Sequence, residues 1–109
     1  MISAVLIVET RAFTARIDDL LSNEQYREFQ LYLAMRPDAG RIIPGTGGLR
    51  KVRWSGSGRG KRGGCRVIYY WQPASRRLLM LFAFAKSDRA DLTPAQKRVL
   101  RQIVETEYQ

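Results

Sequence analysis

The run LLMLFAFA, eight apolar residues from Leu78 to Ala85, constrains this chain more than any other stretch. It is too short to span a bilayer and shows no polar alternation. It therefore predicts a strand over Arg77 to Ala85 that is buried on both faces. Two strand-like runs precede it. Leu49 to Trp54 and Cys65 to Gln72 flank Ser55 to Gly64, a loop of glycine, serine and cations expected to lie exposed. Pro73-Ala74-Ser75-Arg76 is the turn into Arg77. Three strands joined by short links predict an antiparallel meander.

The remainder reads as helix with one further strand. Ile2 to Val8 is rich in β-branched residues and predicts a first strand, bounded by Glu9. Arg11 to Leu21 places Phe13, Ile17, Leu20 and Leu21 at helical spacing. Ser22, with Gln25 three residues later, forms a capping box that opens a second helix over Asn23 to Met35, with Tyr26, Phe29 and Leu33 on one stripe. Arg36-Pro37-Asp38-Ala39-Gly40 ends it. Gly45-Thr46-Gly47-Gly48 reads as a flexible lead-in to the second strand. Thr93, Pro94 and Gln96 occupy the N-cap, N1 and N3 positions of a last helix running to about Glu107, expected to pack Val99, Leu100, Ile103 and Val104 on the sheet. The order βααβββα implies one α+β domain over residues 1–109, with a four-stranded, antiparallel-dominated sheet and helices against one face.

Charge is concentrated on this framework. The net charge is +9, from 19 basic and 10 acidic side chains. Arg50, Lys51, Arg53, Arg59, Lys61, Arg62 and Arg66 lie within one hairpin, leaving 12 basic against 10 acidic side chains elsewhere. Such a segment attracts polyanions through phosphate neutralisation and counterion release, which favours nucleic acid over a membrane surface. A lone cysteine, Cys65, cannot form an internal disulfide and suits a reducing compartment. Ile2 to Val8 is too short to span a bilayer, has no basic region before it and runs directly into Glu9. The expected location is the cytoplasm, with no membrane partner.

Strand alternation puts Lys51 and Arg53 on one face and Val52 and Trp54 on the other, and separates Arg66, Ile68 and Tyr70 from Cys65, Val67, Tyr69 and Trp71. Pairing the two strands gathers Lys51, Arg53 and Arg66 into a phosphate-sized cluster. Charge on a hairpin also serves simply to keep an edge strand from pairing with other chains, but one or two cations suffice for that. The glycine-rich loop lacks the context of a P-loop, so it implies no nucleoside triphosphate site. Tyr70 is a candidate for base stacking, like its neighbours Tyr69 and Trp71, although strand aromatics are as often core. The chain has no histidine and no plausible metal-ligand cluster, which excludes the commonest nuclease designs. RNA carries its own nucleophile, the 2′-hydroxyl. Arginines able to stabilise the transition-state charge, and a lysine acting as acid or base, remain sufficient chemistry, and no cofactor is expected.

GTGGLRKVRW, GRGKRGGCRVIYY and LLMLFAFAKSDRADLT, followed by a terminal helix, resemble a HigB-type toxin of the RelE superfamily, from bacterial type II toxin-antitoxin modules. The resemblance is most specific from Gly45 to Thr93. It implies a RelE-like fold and an mRNA interferase, a metal-independent endoribonuclease that enters the ribosomal A site, cleaves mRNA there by 2′-hydroxyl attack, and is neutralised by a cognate antitoxin. Free of the antitoxin, such a toxin is expected to be a monomer. Lys51 and Arg53 match basic residues that contact and polarise the scissile phosphate. Arg66 matches the arginine that stabilises the transition state, and Lys86 lies beside a further basic catalytic position. The chain departs from the best-known pattern at Ser87, where an arginine is expected. Arg50, Arg59, Lys61 and Arg62 are expected to position the RNA. A non-catalytic RNA- or ribosome-binding module using the same hairpin is the alternative.

Overall fold

The computed structural model describes residues 4–54, 64–85 and 92–108. Its elements are β1 (Leu6–Glu9), α1 (Arg11–Leu20), α2 (Asn23–Met35), β2 (Arg41–Ile42), β3 (Arg50–Trp54), β4 (Cys65–Gln72), β5 (Arg77–Ala85) and α3 (Pro94–Tyr108). The strands form one sheet in the order β1-β5-β4-β3-β2. The meander of β3, β4 and β5 is antiparallel as expected, β2 adds to it antiparallel, and β1 pairs parallel to β5. The fold is α+β with a mixed sheet of five strands, one more than the sequence suggests.

Helices cover both faces of the sheet, not one. Leu78, Met80 and Ala83 of β5 pack with Phe13 and Ile17 of α1 and Phe29 and Leu33 of α2. Leu79, Leu81 and Phe84 pack instead with Leu92 and with Val104 of α3. An all-apolar strand demands this arrangement, because leaving a face bare costs about 2 kcal/mol for each large side chain. Between Ile68 and Tyr69 the register slips by one residue, so that Ile68 faces Phe82 while Tyr69 faces Met80. The bulge turns both Leu81 and Phe82 toward the α3 side.

The helix starts follow the sequence closely. Ser22 and Gln25 make the full reciprocal capping box, and Thr93 and Gln96 exchange the same two hydrogen bonds, 3.1 and 2.9 Å, at α3. Among the described residues β1 starts at Leu6 rather than nearer Ile2, which with Ser3 lies outside them, and it includes Glu9. It pairs with Arg77 to Met80 only, and Thr10 ends it by donating its hydroxyl to the Leu81 carbonyl, 2.7 Å, and accepting from the Phe13 amide, 3.1 Å, as the cap of α1. Val99 is also corrected. It is 57% exposed, because Leu100, Ile103 and Val104 form the stripe of α3 that meets the sheet and Val99 falls on its flank.

Gly45 to Gly48 is an ordered turn, not a flexible lead-in. The Thr46 hydroxyl is buried, donating to the Ile43 carbonyl at 2.6 Å and accepting from the Leu49 amide at 3.2 Å. This folds β2 back onto β3. Gly48 adopts φ +114 with the Tyr70 ring against it, a position closed to a side chain on both counts.

Tyr69 fastens the other end of β2. Its ring is fully buried, and its hydroxyl donates to the Pro37 carbonyl, 2.7 Å, and accepts from the Gly40 amide, 2.8 Å. A Cβ on Gly40 would stand 2.8 Å from the Tyr69 ring and 3.0 Å from the Lys51 carbonyl oxygen. Tyr69→Phe, which strands both groups, should lower the unfolding free energy by about 2–3 kcal/mol in urea titrations. Gly40→Ala should lower it too, since the crowding includes backbone.

Candidate phosphate-binding site

β3 and β4 pair so that Arg53 stands directly opposite Arg66, and Lys51 opposite Ile68. Paired residues in an antiparallel ladder share a face. Lys51, Arg53 and Arg66 therefore lie on one side of the sheet, about 5 Å apart across the strands and about 7 Å apart along β3 at the Cα level. Ile68, Phe82 and Phe84 lie on that same face, the two phenylalanine rings 5.8 Å apart. Arg53 is exposed, while Lys51 and Arg66 are half-buried. Like charges placed directly opposite one another destabilise a strand pair. Holding them there suits a surface meant to receive an anion.

Register brings in a cation that the sequence reading did not single out. Arg41 of β2 is opposite Lys51, continuing the row Arg41, Lys51, Ile68, Phe82. A two-residue strand leaves no periodicity to find. Its only signal was its nearness to the turn at Gly45.

Arg50 does not join this cluster. Alternation sends it to the opposite face, where one guanidinium nitrogen donates to the Gly40 carbonyl at 2.7 Å and the Asp38 carbonyl at 3.2 Å. It holds the same connection as Tyr69. Tyr70 is on the cationic face but lies four residues along β4 from Arg66, partly buried against the α3 core and against Gly48. Of the remaining expected site residues, Arg59, Lys61, Arg62 and Lys86 lie outside the described residues, as does Ser87.

Cys65 neighbours Arg66 in sequence but points into the α1–α2 core, fully buried. Burial pushes its thiol up to about 11. The Tyr69 hydroxyl is pushed up by burial as well, and so is that of Tyr26, where burial is reinforced by its hydrogen bond to Glu9. Among the described residues no group of His, Cys, Asp or Glu is arranged to hold a metal ion, and no helix is long and apolar enough to cross a membrane.

Fold and site together define a small α+β protein whose mixed sheet gathers Arg41, Lys51, Arg53 and Arg66 on one face, flanked by apolar side chains. The family model for the RelE toxin of the RelE/RelB toxin-antitoxin system matches residues 36–109, and the chain belongs to that family. Solved structures share the fold. The toxin in the intact Escherichia coli RelBE toxin-antitoxin complex superposes with a TM-score of 0.58 at 16% identity, covering 79% of this chain and 100% of that one. The isolated E. coli RelE toxin gives 0.57 at 13% identity, covering 92% and 99%. The archaeal RelE-RelB complex from Pyrococcus horikoshii OT3 gives 0.54 at 17%, covering 78% and 98%.

Arg50→Ala should lower the unfolding free energy by about 1–2 kcal/mol through its lost carbonyl contacts, whereas Arg53→Ala should change it by less than about 0.5 kcal/mol. Cys65 should resist thiol reagents at pH 8 until the chain is unfolded. As pH rises from 9.0, the ordinary value for the thiol, toward about 11, the unfolded chain loses that proton before the folded one. Stability should therefore fall across this window, and urea midpoints should record it.

Proposed function

We propose that this chain is a HigB-type mRNA interferase, a ribosome-dependent endoribonuclease that halts translation by cutting mRNA in the A site. The observation carrying this reading is the cross-strand pair Arg53–Arg66 with Lys51 two residues along the same face. Two guanidinium groups facing one phosphate can hold its non-bridging oxygens and stabilise the charge that grows as the pentacoordinate phosphorane forms. The 2′-hydroxyl oxygen attacks phosphorus, the bond to the 5′-oxygen breaks, and the products are a 2′,3′-cyclic phosphate and a 5′-hydroxyl. Lys51 and Lys86 are the candidates to exchange a proton with the reacting oxygens. The reaction uses no metal or cofactor, because the nucleophile belongs to the substrate.

A set of cations without histidine is a modest acid-base catalyst. Ribosome dependence suits it, since mRNA already held with its 2′-hydroxyl in line removes much of the entropic barrier. The expected partners are mRNA with the ribosomal RNA around it, and a cognate antitoxin whose acidic groups cover or distort the basic face. Residues 1–109 act as one toxin domain, monomeric when free and cytoplasmic. Arg59, Lys61 and Arg62 are assigned to RNA positioning. Arg50 is assigned to the support of β2 and not to RNA.

Primer-extension mapping of mRNA ends, in translation reactions with and without ribosomes, tests the reading. Wild type should give cuts at codon positions only on translating ribosomes, and Arg66→Ala should reduce them by at least about 100-fold, the effect of losing one transition-state charge contact. Intact mRNA from a wild-type protein that still binds RNA with steep salt dependence would replace the enzyme by a binding module.

A further inference from the structure

Beside the Arg53–Arg66 pair, the edge of the sheet and the first turn of α3 enclose a recess of about 260 Å³. Arg41, Lys51 and Lys97 line it together with Ile42, Pro44 and Leu92, and none of its described lining residues is acidic. The three cations come from three separate elements. Arg41 is fixed opposite Lys51 by the β2–β3 ladder, and Lys97 closes the first turn of α3, its amide donating to the Thr93 carbonyl at 3.0 Å. Arg41 is exposed, and Lys51 and Lys97 are half-buried. The apolar walls shelter the stems of these side chains and reduce screening by water, which strengthens their attraction for an anion.

Arg41 opposite Lys51 repeats, one step along the same face, the pairing of Arg53 with Arg66. A single like-charge pair is a local cost, but two in succession about 7 Å apart form a track. An extended single strand carries one negative charge per nucleotide and can place consecutive phosphates on consecutive pairs. We propose that Arg41, Lys51 and Lys97 form a second phosphate subsite, which holds the RNA phosphate adjacent to the scissile one. Lys51 is shared between the two positions, and Arg41 and Lys97 are binding residues that hold the strand against this face without touching the scissile phosphate. The proposal rests on the reading of that pair as the scissile-phosphate site.

The test is fluorescence anisotropy of a labelled, uncleavable 2′-O-methyl oligouridylate hexamer titrated at several KCl concentrations. Arg41→Ala and Lys97→Ala should each weaken binding by roughly three- to tenfold and reduce the slope of log K against log salt by about 0.7. Lys97→Arg should bind like wild type. Arg27→Ala, an equal change of charge at an exposed position on α2, should have little effect. In ribosome reactions the two alanine variants should raise the half-saturating concentration and leave the single-turnover rate intact, whereas Arg66→Ala lowers the rate. Arg41→Ala and Lys97→Ala behaving like Arg27→Ala would overturn the subsite. If Arg53→Ala still weakens binding in that case, the primary site stands alone, and if it too is silent, both assignments fail. Unchanged RNA binding with weakened binding of polyglutamate, titrated in parallel, would give the recess to an acidic protein partner and overturn the RNA assignment.

Discussion

β4 must serve two cores at once. Cys65, Val67 and Tyr69 enter the core beneath α1 and α2, while Ile68 and Tyr70 belong to the core beneath α3. A slip of one residue would exchange the two sets and drive Arg66 toward Phe13 and Phe29, where an unpaired charge costs several kcal/mol. Burial on both sides thus locks the register of β4 against β3 and β5. That register alone brings Arg53 opposite Arg66. The chemistry of the surface is a by-product of the packing of the interior.

The same strand supports the edge of the site. Tyr69 reaches from the core to Pro37 and Gly40, and Arg50 binds the carbonyls of Asp38 and Gly40 from the neighbouring strand. Together they fix the chain between α2 and β2. At the far end the buried Thr46 hydroxyl closes the turn into β3. β2 is only two residues long, yet both its ends are tied. This is what allows it to present Arg41 beside Lys51, and it explains why a glycine-rich stretch that reads as a flexible lead-in is an ordered part of the framework.

Much of this was legible in advance. The three-strand meander, the two capping boxes and the division of Lys51, Arg53 and Arg66 from Val52, Trp54 and Cys65 all follow from local pattern. Each depends on residues close in sequence or on strict alternation. What failed were inferences that needed long-range partners. β2 has no pattern of its own, and Val99 lies on the flank of a stripe whose width depends on the angle at which α3 meets the sheet. Arg50 counts as one more cation in a charge tally, and only the carbonyls of Asp38 and Gly40 show it to be a brace.

The sequence by itself determined the class of the fold and the strands that carry charge, because hydrophobic period and net charge are local properties of a chain. Tertiary structure decided the rest. That the sheet is covered on both faces, that β1 runs parallel to β5, and that Arg41 and Lys97 meet Lys51 around one recess are consequences of register and closure between distant segments. Those pairings are selected by the packing of the whole interior, which no single stretch of sequence contains.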